Sequence, residues 1–290
     1  MSALNKKSFL TYLKEGGIYV VLLVLLAIII FQDPTFLSLL NLSNILTQSS
    51  VRIIIALGVA GLIVTQGTDL SAGRQVGLAA VVAATLLQSM DNANKVFPEM
   101  ATMPIALVIL IVCAIGAVIG LINGLIIAYL NVTPFITTLG TMIIVYGINS
   151  LYYDFVGASP ISGFDSGFST FAQGFVALGS FRLSYITFYA LSGVFYAFGG
   201  MLEAGRIGSA TNNLGFMYEL DAIAACVVGG VSFSGGVGTV IGVVTGVIIF
   251  TVINYGLTYI GVNPYWQYII KGVIIIFAVA LDSLKYARKK

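Results

Sequence analysis

The chain has 290 residues, of which 59% are hydrophobic and only 8% are charged. Because a soluble domain normally carries about 25% charged residues, this composition indicates a membrane protein. The net charge of +2 excludes a basic nucleic-acid surface. The absence of histidine excludes histidine-based catalysis and a Cys-His metal site. We expect no metal, no cofactor and no nucleic-acid partner for this chain.

Apolar segments with brief connections follow one another along the chain, and a membrane span needs about 20 mostly apolar residues. The first segment follows Lys6, Lys7 and Lys14 and lacks a small-residue cleavage site, so we interpret it as a retained span. The candidates are Ile18–Phe31, Val51–Gln66, Val76–Met90, Pro104–Leu130, Pro134–Val156, Leu183–Glu203, Leu220–Phe233, Val237–Ile260 and Tyr265–Leu281. We predict an all-α, polytopic membrane helix bundle, with one transmembrane domain over residues 1–290.

Basic residues at both ends of the chain indicate the orientation. Three lysines precede the first span, and Lys285, Arg288, Lys289 and Lys290 follow the last one. The positive-inside rule therefore places both termini in the cytoplasm. This orientation requires an even number of crossings, whereas nine candidates are counted. Either Leu220–Phe233 is re-entrant or one crossing is missing.

A pattern of small residues occurs twice in the apolar segments. Glycines recur at i, i+4 and i+8, and the second set lies 122 positions after the first. Such a stripe lies on one helix face and lets helices approach closely in lipid, and internal repeats are common in transporters. We therefore predict helix packing through Gly116, Gly120, Gly124, Gly238, Gly242 and Gly246.

A second group of glycines flanks the short stretch Val231–Ser234. These residues are Gly229, Gly230, Gly235 and Gly236. Because glycine is conformationally permissive, we interpret the stretch as a break between segments. A gate or hinge at these four glycines is the hypothesis that follows.

Polar residues within the spans are the candidates for a translocation path. They carry the hydroxyl and amide groups that a path for a polar solute would use, although hydrogen bonding between helices is the alternative role. The candidates are Gln66, Asp69, Asn123, Thr137, Thr138, Thr141, Tyr146, Asn149 and Asn254. Asp69 is expected to cap the following helix or to act in transport. Glu219 and Asp221 are expected to cap a helix, and Lys271 to snorkel to an interface.

Three glycine-containing sequence strings, taken in chain order, resemble strings of one protein family. They are Gly67-Thr-Asp-Leu-Ser-Ala-Gly73, then Thr133-Pro-Phe-Ile-Thr-Thr-Leu-Gly-Thr141 after Asn123-Gly124, then Glu219-Leu-Asp-Ala-Ile-Ala-Ala225 with Gly229-Gly230 and Gly235-Gly236-Val-Gly238-Thr239. Together they resemble the permeases of bacterial sugar ABC importers of the ribose and galactose branch, and the resemblance covers nearly the whole chain.

The resemblance implies a multi-pass subunit of the bacterial inner membrane that moves a monosaccharide, galactose or a methyl galactoside, by alternating access. It implies a homodimer surrounded by membrane lipid, a cytoplasmic ATP-binding subunit and a periplasmic sugar-binding protein. ATP hydrolysis would belong to the partner, so the chain is not expected to be an enzyme or to hold catalytic residues.

One departure from the family pattern lies at the junction of Ala190 and Leu191. The family carries a cytoplasmic coupling loop after its sixth span, whereas here the stretch beginning at Leu183 continues directly into the stretch from Leu191. The end of one span, the coupling loop and the start of the next are expected to be absent, either because a segment is missing from this sequence or because the protein is a deletion form. The odd number of crossings agrees with this interpretation.

Two other classes of membrane protein remain as alternatives. An ion-coupled secondary transporter of a small polar solute would suit the internal repeat, but acids at mid-membrane depth are scarce and a histidine relay is excluded. A structural membrane protein without transport is opposed by the polar residues within the spans. A membrane enzyme is opposed by the lack of an ionisable pair with catalytic spacing.

Overall fold

A computed structural model describes residues 22–172, 185–232 and 235–286. The predicted all-α architecture is confirmed, apart from two strands of two residues each. In chain order the elements are α1 (Leu22–Gln32), a 3-10 turn (Pro34–Leu37), α2 (Leu39–Val64), α3 (Ala72–Leu86), α4 (Ile105–Leu130), α5 (Pro134–Phe155), β1 (Ile161–Ser162), α6 (Ser166–Ala172), α7 (Tyr185–Ile207), β2 (Ser209–Ala210), α8 (Tyr218–Val228), α9 (Val240–Tyr259) and α10 (Pro264–Tyr286). The strands pair antiparallel, Ile161 with Ala210 and Ser162 with Ser209.

Each of the nine candidate spans overlaps one of these helices, although only some helices are long. Within the described residues, α2, α4, α5 and α9 are long and apolar enough to cross a membrane, whereas α1 and α3 are shorter apolar helices. Helix α2 begins at Leu39, well before the predicted start at Val51. Polar side chains in this added part have partners: the Tyr255 hydroxyl donates to Asn41 Oδ1 at 2.8 Å and accepts from Asn44 Nδ2 at 3.2 Å.

The chain divides into two compact units. One comprises Met1–Ala56 with Asp221–Lys290, and the other comprises Leu57–Leu220. In the first unit, Ile29, Phe36 and Ile45 form a buried cluster. In the second, the buried core joins α3, α4, α6 and α7 through Ala79, Ala83, Leu87, Val108, Val112, Phe168, Ala197 and Met201. A single domain over residues 1–290 stays a prediction.

The backbones of α4 and α7 touch at a pair of glycines. A Cβ atom on Gly116 would collide with the carbonyl oxygen of Gly193, and a Cβ atom on Gly193 would collide with that of Gly116. Helix α7 also lies directly on α3, where a Cβ atom on Gly200 would collide with the carbonyl oxygen of Val76. Gly120 and Gly124 are buried on the same helix as Gly116. Small residues thus permit the close approach that a membrane bundle needs.

The second glycine set has a different arrangement in the first unit. Gly242 of α9 packs against Gly229, and Gly246 packs against the Ala225 carbonyl of α8. Gly238 is exposed and precedes α9. The helix begins after Thr239, whose side chain accepts a hydrogen bond from the Gly242 N–H at 3.1 Å. Because this cap fixes the helix start, the predicted three-glycine face contains only Gly242 and Gly246.

Substitution of Gly116 by alanine tests the contact between α4 and α7. We expect Gly116→Ala to destabilise the folded chain by about 1–3 kcal/mol, the usual cost of overpacking. Gly147→Ala is the matched control, because Gly147 lies in α5 with no atom near its added Cβ. Alanine there should be neutral or stabilising by up to about 1 kcal/mol. Thermal unfolding in detergent measures both, and equal unfolding temperatures would contradict the proposed contact.

Candidate functional site

A buried carboxylate lies in the connection between α2 and α3. Asp69 is 1% exposed, and its Oδ1 atom accepts hydrogen bonds from the Ser71 N–H at 2.8 Å and the Ser71 hydroxyl at 2.5 Å. The side chain therefore closes a local turn that ends one residue before α3. The prediction that Asp69 caps the helix itself is wrong, because its bonds go to Ser71 and not to an N–H of the first helical turn.

The Ser71 hydroxyl is the centre of a polar network that links three helices. It accepts from Gln75 Nε2 of α3 at 2.8 Å and from Asn123 Nδ2 of α4 at 3.4 Å. The Oδ1 atom of Asn123 in turn accepts from the Thr141 hydroxyl of α5 at 2.5 Å. Ser71, Gln75 and Asn123 are each at most 2% exposed. Hydrogen bonds between buried side chains of different helices help to fix the relative positions of those helices.

Thr138 of α5 bonds the backbone of the α2–α3 connection on either side of Asp69. Its Oγ1 atom accepts from the Leu70 N–H at 3.1 Å, and it lies 3.3 Å from the Thr68 carbonyl oxygen and 2.8 Å from that of Pro134. Backbone groups in a membrane interior need partners. Thr138 supplies one where the helical pattern is broken.

Several buried polar atoms of the second unit have no hydrogen-bond partner among the described residues. They are Asp69 Oδ2, Gln75 Oε1, Thr137 Oγ1 and Asn149 Oδ1. Most buried polar groups in folded proteins are hydrogen-bonded, so each exception requires an explanation.

The structure brings together four of the nine predicted path residues, Asp69, Asn123, Thr138 and Thr141. Thr137 and Asn149 are buried elsewhere on α5, with Asn149 Nδ2 3.5 Å from the Asn212 carbonyl oxygen. Gln66 is exposed and has a φ of 60°. Asn254 lies in the other compact unit, where it is buried in α9.

Tyr146 is 38% exposed and lies against an arginine that the sequence prediction missed. The guanidinium carbon of Arg74 lies 4.3 Å from the centre of the Tyr146 ring and 5.2 Å from that of Phe216. Ser71 and Gln75 were also missed. A usable signal was the charge of Arg74 beside an apolar span, since ionisable residues at membrane depth are usually functional.

Asp221 binds two basic side chains within the first unit. One carboxylate oxygen lies 2.9 Å from Lys271 Nζ of α10, and the other lies 3.6 Å from Arg52 Nη1 of α2. The predictions that Asp221 caps α8 and that Lys271 snorkels are wrong, because opposite charges in a low-dielectric interior pair with each other. This cluster ties three helices together.

A further buried carboxylate lies at the end of α7. Glu203 accepts from Arg206 Nε at 2.8 Å, from Arg206 Nη2 at 2.9 Å and from the Tyr218 hydroxyl at 2.6 Å. A bidentate pair with a third hydrogen bond compensates the burial of the charge. The cluster fixes the end of α7 to the beginning of α8.

The four predicted gate glycines differ in their surroundings. Gly229 packs against α9, which gives it a packing role. Gly230, Gly235 and Gly236 have φ values of 87°, 79° and 74°. Glycine adopts such left-handed conformations without steric cost, so the chain can turn here between α8 and α9.

Comparison with known proteins places the chain in a family. The model of the "Branched-chain amino acid transport system / permease component" family matches residues 41–188 and 180–279. The chain belongs to this permease family. No solved structure was found to match it.

Named relatives of the permease are sugar importers. It is 86% identical to the galactose/methyl galactoside import permease protein MglC of Escherichia coli (strain K12), over 336 positions covering all of both chains. It is 69% identical to the protein of the same name from Haemophilus influenzae, again over all of both chains. The ribose import permease protein RbsC of Escherichia coli (strain K12) is 33% identical over 94% of this chain and 95% of its own.

These alignments also bear on the junction of Ala190 and Leu191. The alignment with MglC of Escherichia coli has 336 positions, which is 336 − 290 = 46 more than this chain has residues. The two family matches overlap at residues 180–188, immediately before that junction. Helix α7 runs across the junction without interruption.

Removal of the Ser71 hydroxyl tests the network. We expect Ser71→Ala to destabilise the chain by about 1–3 kcal/mol, because buried groups on α3 and α4 lose their partner. Ser159→Ala is the control, since the exposed Ser159 hydroxyl bonds only the nearby Gly157 carbonyl among the contacts described. Thermal unfolding in detergent measures the difference. An unfolding temperature for Ser71→Ala equal to that of the control would contradict a central role for Ser71.

Proposed function

We propose that this permease is the membrane-spanning subunit of an ATP-driven importer that carries galactose or a methyl galactoside into the cytoplasm. The observation that carries the proposal is the 86% identity with the galactose/methyl galactoside import permease protein MglC over all of both chains. The buried amide and hydroxyl groups around Ser71 support it, because sugars are recognised by such groups. The chain itself is not an enzyme in this proposal.

The mechanism that we propose is alternating access. A partner can shift a two-state protein only by binding one state more tightly than the other. A sugar-loaded binding protein would favour the outward state, and an ATP-binding subunit would favour the inward state. The nine predicted path residues are candidates for weak contacts along the way. Asp69, Asn123 and Thr141 belong to one network, and Thr138 bonds the backbone on either side of Asp69.

The assembly that we propose has two copies of the permease in the bacterial inner membrane. Both termini would lie in the cytoplasm, in agreement with the basic residues at each end. The cytoplasmic partner would hydrolyse ATP, and a periplasmic protein would deliver the sugar. The family description of a transport-system permease component supports the presence of such partners.

We further propose that this chain lacks an internal segment at the junction of Ala190 and Leu191, including the coupling loop. The 46 additional alignment positions and the two overlapping family matches support this. The intact mass of the polypeptide tests it. A mass of 30.6 kDa agrees with the 290 residues, whereas a mass well above that value would contradict the loss of a segment.

An ion-coupled transporter is the second candidate function. The glycine repeat favours it, as does the buried Asp69, whose Oδ2 atom has no hydrogen-bond partner among the described residues. Sugar uptake driven by an ion gradient would require no ATP-binding subunit. The two candidates therefore differ in their energy source.

Uptake of radiolabelled galactose separates these functions. The measurement uses cells that contain the partner subunits and the restored form, defined as this chain with the corresponding residues of MglC inserted between Ala190 and Leu191. With ATP held constant, a protonophore should leave uptake unchanged, because ATP supplies the energy. Loss of uptake under the protonophore would favour the ion-coupled transporter. Omission of the ATP-binding subunit should abolish uptake.

Alanine at Gly236 tests the proposed gate. The φ of 74° makes a side chain there costly by about 1–2 kcal/mol, although no atom would collide with the added Cβ. We expect Gly236→Ala in the restored form to slow uptake several-fold. Gly272→Ala is the control, because its Cβ also meets open space and its place in α10 suits alanine. Equal uptake rates in the two variants would dismiss the gate.

A further inference from the structure

Arg74 occupies an unusual position for a charged residue in this chain. It is the third residue of α3, and its guanidinium group lies between the rings of Tyr146 and Phe216, at 4.3 Å and 5.2 Å from their centres. Both distances are within the range of a cation–π contact. Tyr146 and Phe216 are 38% and 48% exposed, respectively, so part of each residue is accessible to a ligand.

The charge of Arg74 is not neutralised by an ion pair with a carboxylate in the described part of the chain. The ion pairs there join Arg52 and Lys271 to Asp221, and Arg206 to Glu203. The Nη1 atom of Arg74 is also buried without a hydrogen-bond partner among those residues. Charged groups at membrane depth face a bundle interior or a water-filled cavity rather than lipid. The position therefore suits contact with a polar solute.

The surroundings of Arg74 are held in place by close backbone contacts. A Cβ atom on Gly73 would collide with the Gly215 carbonyl, and one on Gly77 would collide with the Leu214 carbonyl. The loop that carries Phe216 is thus seated directly on α3. On α5, Asn149 lies one helical turn after Tyr146 and is 1% exposed, and its Oδ1 atom has no partner among the described residues.

A carboxylate lies close to the backbone of the residue before Arg74. An added Cβ atom on Gly73 would collide with a carboxylate oxygen of Glu219. The Arg74 guanidinium carries only hydrogen-bond donors, and the hydroxyl oxygens of a neutral sugar can accept from them.

We propose that Arg74, Tyr146 and Phe216 form a sugar-contact site of the permease, which rests on the proposed import of galactose. The guanidinium donates hydrogen bonds to hydroxyl oxygens, and the exposed parts of the rings pack against the C–H face of the pyranose. The site recognises a neutral pyranose and is weak enough to release it.

Binding of D-galactose to the 290-residue chain in detergent tests the site, with saturation-transfer difference NMR as the measurement. We expect the wild type to bind, and Arg74→Gln and Tyr146→Ala to weaken the apparent affinity about tenfold or more, because hydrogen-bond donors or the stacking ring are lost. Arg74→Lys should also weaken it, since lysine keeps the charge but loses the planar fork. Phe155→Ala is the control, an aromatic residue of α5 that is 77% exposed.

A folded Arg74→Gln chain that binds galactose like the wild type would overturn the site, as would a wild type that does not bind. If Arg74→Gln fails to fold, Tyr146→Phe and Tyr146→Ala give the comparison. Tyr146→Phe should retain binding and Tyr146→Ala should lose it, and equal binding by the two variants would overturn the site.

Uptake by the restored form separates this inference from the proposed function. Normal uptake with an unchanged half-saturation in Arg74→Gln overturns the site alone, whereas no uptake by the unsubstituted form contradicts sugar import.

Discussion

The close approach of helix backbones is the constraint on which the larger unit depends. Gly116 and Gly193 allow α4 and α7 to touch, and Gly200 allows α7 to lie on the backbone of α3. In a membrane the hydrophobic effect does not drive helices together, so packing of this kind and hydrogen bonds between helices must hold the bundle. A single side chain at any of these contacts would separate the helices.

This packing places polar groups where they can meet. With α3 held against α4 and α5, Ser71 reaches Asn123, which in turn accepts a hydrogen bond from Thr141. Two other glycines, both on α3, seat the loop of Phe216 on that helix, beside Arg74. Structure and proposed function therefore share one cause, because glycines that permit close packing also set the positions of the groups that a sugar would meet.

The sequence often identified one residue of an important contact but not the residue that it contacts. The glycine period predicted Gly116, but its partner Gly193 belongs to no such period in α7. The capping rule led to a wrong role for Asp221, because its partners Lys271 and Arg52 are 50 and 169 residues distant in the chain. The predicted span begins at Val51 and omits the polar start of α2, where Asn41 has a hydrogen-bond partner on α9. The periodicity of residues along the sequence describes the face of a single helix, whereas these contacts depend on how the helices pack against each other.

ATP hydrolysis by the assembled importer tests the central claim most directly. The permease would be reconstituted with its ATP-binding subunit, and hydrolysis would be followed with and without a galactose-loaded binding protein. The account predicts stimulation in the restored form and none in the 290-residue form, because the latter would lack the proposed coupling loop. Equal stimulation of both forms would contradict the proposed loss of coupling. No stimulation of either would contradict the importer itself.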